Sequence, residues 1–112
     1  LWIHHHNAGT AAYEHKNYDK AALHYRKAAH YAERFGPDDN RIGQDLDYLA
    51  IAYHFQKRDK DAEHAFQRAL DVYDHTSGPG PDHKAAVQHD LDLLYAEIHK
   101  ASGGTDRGAH SS

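Results

Sequence analysis

The sequence predicts an all-α chain of five helices, on three observations. Apolar and small residues recur at helical spacing from Trp2 to about Lys100. The alternation of β-branched and polar residues expected of strands is missing. Clusters of Gly, Pro, Asn and charged residues interrupt the helical pattern at regular intervals.

The elements follow from those interruptions. Lys16-Asn17 closes a first helix over 2–15, and Gly36-Pro37-Asp38-Asp39 closes a second over 18–35. Lys57-Arg58-Asp59 separates a third helix, 38–56, from a fourth, 59–76. The run Thr76-Ser77-Gly78-Pro79-Gly80-Pro81-Asp82 precedes a fifth over 82–101. Residues 1–101 therefore read as one helical domain. The remainder, 102–112, is rich in Gly and Ser, lacks an apolar face, and reads as a frayed tail.

Self-similarity organises these helices. Gly9, Ala12, Ala21, Tyr25 and Ala28 have counterparts 41 residues on at Ala50, Tyr53, Ala62, Phe66 and Ala69. Gly36-Pro37-Asp38 returns at 80–82, and Asp45-Leu46-Asp47-Tyr48-Leu49 returns as Asp90-Leu91-Asp92-Leu93-Leu94. Small residues at Gly9, Ala21 and Ala28 let helix backbones approach, while Tyr25 and Phe66 fill the wedge between successive hairpins.

These residues resemble tetratricopeptide repeats. The second unit carries Leu46, Leu49-Ala50 and Tyr53 on its first helix, then Ala62, Phe66 and Ala69 on its second, and fits every signature position. The first carries Ala8-Gly9, Ala21, Tyr25 and Ala28, with Trp2 seven residues before Gly9 and His5 as a poor match at the leading large position. The period of about 42 looks like the long variant of kinesin light chains and many bacterial repeat proteins. The resemblance covers about residues 2–100 and implies an α-α superhelical solenoid of about two and a half hairpins. Residues 82–101 would be a closing helix, with Tyr95 where the family has a small residue.

The resemblance also implies a concave groove lined by the first helix of each unit. Its residues are His6, Thr10 and Tyr13; then Asp47, Ile51, His54 and Phe55; then His89, Asp92 and His99. Ile3, Glu14, Gln44, Ala96 and Lys100 flank them. Such a groove is acidic, aromatic and histidine-bearing. A carboxylate clamp needs Lys, Arg and Asn on these rows, and only Lys100 is there, so the expected ligand is a basic or aromatic protein or peptide. Trp2, Leu93 and Tyr95 are expected to form an apolar edge for self-association. A structural subunit assembling head to tail into an oligomer or filament is therefore the alternative to a scaffold.

Composition bounds the rest. The 112 residues carry 13 Lys+Arg against 17 Asp+Glu, a formal charge of −4, with no basic surplus for nucleic acid. No stretch is long and apolar enough for a membrane span. Without Cys there is no disulfide, thiolate nucleophile or sulfur-ligated zinc. No phosphate-binding Gly loop, His-Glu-x-x-His or Gly-x-Ser-x-Gly occurs, and the four Ser lie in a linker or the tail, so no enzyme activity and no cofactor are expected. The 13 His would carry the charge from −4 to +9 if all were protonated, which makes a pH- or metal-responsive protein a third reading. Against a metal, no two His stand at i, i+4, and equivalent positions of stacked helices are ~10 Å apart. There is no Met, which leads us to expect a chain trimmed from a longer one or an excised piece and leans the localisation towards the periplasm or cell exterior.

Overall fold

A computed structural model describes the backbone of residues 1–75 and 80–111 and the side chains of residues 1–75 and 83–100. It is all-α: α1 (Trp2–Glu14), α2 (Tyr18–Ala32), α3 (Asn40–Phe55), α4 (Asp59–His75) and α5 (Gly80–Ser111), with a 3-10 turn at Glu33–Phe35 after α2. Among the described residues there is no strand. The first four helices lie within three residues of the expected limits. The break expected at 76–82 falls largely on residues 76–79, outside the described residues. Where a tail was expected over 102–112, α5 is drawn as helix to Ser111. Among the described side chains, the last one packed on the core is Ile98.

Each helix packs on its chain neighbours, α1 on α2, α2 on α3, α3 on α4 and α4 on α5, and α5 also touches α3. The turns show why. Asn17 Oδ1 accepts the Lys20 N–H to open α2, and Asp39 accepts the Arg41 N–H to open α3. The 41-residue repeat reappears in the backbone between paired helices. Lys16 (φ 60°) and Lys57 (φ 65°) both adopt the left-handed conformation. Asn17 N–H bonds Ala12 C=O and Lys16 N–H bonds Tyr13 C=O; Arg58 to Tyr53 and Lys57 to His54 repeat the pattern. Both are Schellman closures that reverse the chain within two residues.

The core is alanine and aromatic, as the repeat requires. Ala21, Ala28, Ala62 and Ala69 are fully buried, and Tyr25 and Phe66 are buried in the wedge positions. The backbone of Gly9 lies against the Tyr25 ring, so close that a Cβ would sit 2.9 Å from it. Ile42, Leu46 and Leu49 of α3 join Val72 of α4 and Val87, Leu91 and Leu94 of α5 in one continuous core.

Candidate binding groove

A cavity of about 300 Å³ opens where α1, α3 and α5 converge. Tyr13 comes from α1, Ile51, His54 and Phe55 from α3, and Asp90, Leu93 and Glu97 from α5, with Phe66 and Leu94 reaching it from the core. One wall is a cluster of rings. Phe55 stacks on Tyr18 at 4.6 Å between centroids, and Tyr13 meets both edge-on at 6.0 and 5.7 Å. Phe55 and Leu93 stay 48% and 52% exposed, a large apolar surface for a small chain.

The polar rim is acidic. His54 Nε2 lies 2.5 Å from Glu97 Oε2, and its Nδ1 lies 3.4 Å from Asp59 Oδ1. Through its two nitrogens this α3 ring reaches both α4 at Asp59 and α5 at Glu97. Asp90 faces Asp47 of α3, and burial together with that facing carboxyl pushes Asp47 up to about 7. Burial raises the Tyr13 phenol, and Tyr18 and Asp90 add to the rise. Among the described residues no Lys or Arg lines the cavity.

Four of the residues expected in the groove, Tyr13, Ile51, His54 and Phe55, meet in the cavity. The other residues sit elsewhere. His6 is turned into the seam between α1 and α3, its Nδ1 2.7 Å from Asp45 Oδ1. Thr10 is spent on Tyr25 Oη (2.9 Å) and the His6 carbonyl (3.1 Å). Asp47 is half-buried against Asp90. His89, Asp92 and His99 are exposed on α5 and do not line the cavity.

The rotation of α5 explains the difference. With Val87, Leu91 and Leu94 buried, a step of 100° per residue carries Asp90, Leu93 and Glu97 to the flank facing α3. Gln88, Asp92, Tyr95 and His99 go to the other flank, where the Tyr95 hydroxyl donates to Glu63 Oε2 at 2.6 Å. Repeat equivalence sends positions such as His6 and Asp47 towards the next odd-numbered helix; for Asp92 and His99 the described residues hold no next helix.

The three residues expected at the self-association edge all make contacts within the chain. Leu93 lines the cavity, and Tyr95 is bonded to α4. Trp2 is turned inward: its Nε1–H donates to Asp45 Oδ2 at 2.5 Å, its ring stacks on His6 at 5.0 Å, and the Arg41 guanidinium covers it. Asp45, fully buried, was missed as the anchor of this seam. The available signal was an Asp on the apolar face of α3, between Ile42 and Leu46/Leu49.

The chain matches no family model, no curated protein and no solved structure. Among the described residues no group of three His, Asp or Glu is arranged to hold a metal ion, and no helix is long and apolar enough to cross a membrane.

Proposed function

We propose that the chain is a non-catalytic scaffold of the tetratricopeptide type that binds a protein or peptide in the α1–α3–α5 cavity. The ligand presents a Lys or Arg to the acidic rim and an apolar or aromatic residue to the ring wall. The observation that carries this reading is the pairing of two exposed apolar side chains, Phe55 and Leu93, with the carboxylates Asp90 and Glu97 around one cavity that, among the described residues, no Lys or Arg lines. Affinity would come from covering Phe55, Leu93 and Tyr13, and selection from Asp90 and Glu97.

A peptide array scanned with the purified chain tests it. Capture should favour sequences that place Lys or Arg beside Leu, Phe or Tyr, and it should fall at least tenfold for Phe55→Ala and for Glu97→Lys. Indifference to both substitutions, or a preference for acidic peptides, overturns the reading. Head-to-tail assembly has less support, because Trp2 and Tyr95 are engaged within the chain. Concentration-dependent sedimentation at micromolar chain would revive it.

A further inference from the structure

The seams between odd-numbered helices repeat one another, with one exchange of chemistry. A shift of 41 carries His6 of α1 onto Asp47 of α3, and a shift of 45 carries Asp45 of α3 onto Asp90 of α5. At the first seam the pair is base against acid, His6 with Asp45 at 2.7 Å. At the second it is acid against acid. Two ionised carboxylates there would repel each other in a half-buried site, where water screens them less than at the open surface. Among the described residues no N–H or O–H reaches the buried Oδ1 of Asp47. A proton held between the two carboxyls satisfies both.

We propose that Asp47 and Asp90 share one proton across the α3–α5 seam, and that this proton latches α5, and with it the Leu93 and Glu97 wall of the cavity, against α3. The latch rests on the groove reading only for its consequence, which is that the shape of the cavity follows pH.

The groups around the pair do not supply the missing charge. From α1 the Tyr13 phenol faces Asp90. From α4 the Tyr73 phenol is raised by burial first and then by Asp47, Tyr48 and Asp45, so α3 adds further acid and phenol rather than base. On α5 itself Glu97 shares the cavity with Asp90, and the one basic side chain there, His54, is engaged by Glu97 and Asp59. The sign follows from linkage. The folded-state value of Asp47, about 7, lies above the ordinary 3.8. Its stabilisation is complete in acid below the unfolded value and is lost as pH rises through about 7.

The test is amide hydrogen exchange of the full chain between pH 5 and pH 8, corrected for intrinsic rates, on wild type and on Asp47→Asn, Asp90→Asn and Asp47→His. Amides of residues 83–100 in wild type should exchange at least about tenfold faster at pH 8 than at pH 5, the equivalent of one unit in proton affinity. Both Asn variants, in which the remaining carboxyl faces an amide and no proton has to be shared, should give a flat profile, and Asp47→His, which installs the chemistry of the first seam, should keep α5 protected at pH 8. Parallel profiles for wild type and both Asn variants overturn the proposal. A carboxyl carbon-13 titration of wild type needs no variant: an Asp resonance moving near pH 7 supports the latch, and all Asp titrating below pH 5 sinks it. No peptide is present in either experiment, so a latch without a binding groove, and a groove without a latch, give different results.

Discussion

The Tyr73 ring lies across the backbone of Gly43, so close that a Cβ on residue 43 would come within 2.7 Å of its Cζ. Tyr73 is buried, so a shift of its ring would disturb the packing around it. Gly43→Ala gains about 1 kcal/mol of helix propensity and loses about 1–3 kcal/mol to overpacking, so the net effect is destabilisation. Gly9→Ala against Tyr25 should behave alike. Urea denaturation of both variants checks this; a rise in midpoint for either one means that the ring yields.

The contrast between these two glycines shows what was legible in the sequence. Gly9 stands on the repeat, with Ala50 as its counterpart, and its close approach was expected from that alone. Gly43 corresponds to Trp2, so comparing the repeats hid its role. Helix limits were legible because turn residues mark them locally. The cavity was half legible: Tyr13, Ile51, His54 and Phe55 were among the positions that the repeat resemblance implies for a groove, while Asp90, Leu93 and Glu97 depend on how α5 rolls on α4. That roll is set by the packing of Val87, Leu91 and Leu94, a tertiary fact that the 45-residue match of Asp45–Leu49 to Asp90–Leu94 does not contain.

Lys16 and Lys57 each occupy the left-handed region at a Schellman closure. An L-residue with a Cβ pays roughly 1–2 kcal/mol there, part of which glycine returns through its more flexible unfolded chain. Lys16→Gly and Lys57→Gly should each raise stability by about 0.5–1 kcal/mol, and because Tyr18 beside the first turn stacks on Phe55 beside the second, the double variant shows whether the two turns are coupled. Thermal melts of the single and double variants measure this. A loss of stability would mean that the lysine stems contribute packing which their exposure conceals.

Phe66 is buried between Ala62, Ala69 and the α5 face, and it also reaches the cavity. Phe66→Ala should cost on the order of 3–5 kcal/mol, whereas Phe55→Ala, at a half-exposed ring, should cost far less. Chemical denaturation of the pair separates a core residue from a binding residue. Equal losses would undermine the assignment of Phe55 to ligand contact.

Trp2 and His6 both reach the carboxylate of Asp45, and burial pushes Asp45 above the ordinary carboxylate value while these two bonds pull it back. Trp2→Phe keeps an aromatic ring but removes the N–H, leaving a fully buried oxygen without that donor. The expected cost is about 1–3 kcal/mol at pH 7.5. Because the bond favours the ionised form, the deficit should shrink as pH falls and Asp45 takes up a proton. Denaturation at pH 7.5 and pH 4.5 reads both numbers, and a deficit independent of pH would assign the loss to packing alone.

The two ends of the molecule should answer acid in opposite directions. His5 and His24 meet through their Nδ1 atoms at 3.1 Å with their rings stacked. Burial lowers both below the ordinary histidine value. His4, His24 and Lys27 push His5 further down, as Lys20, Lys27 and His4 do His24. For a base lowered in the folded state, the unfolded chain takes the proton first as pH falls through about 6.5, so the stabilisation present at neutral pH is lost in acid. The Asp47–Asp90 seam has the reverse sign. Between pH 7.5 and pH 5, exchange protection should therefore fall in α1 and α2 while it rises in α5. His24→Phe keeps a ring against His5 without a titrating group and should remove the acid loss from the first hairpin only. Protection that moves in the same direction at both ends would show that net charge, rising towards +9 as the 13 His protonate, outweighs either local pair.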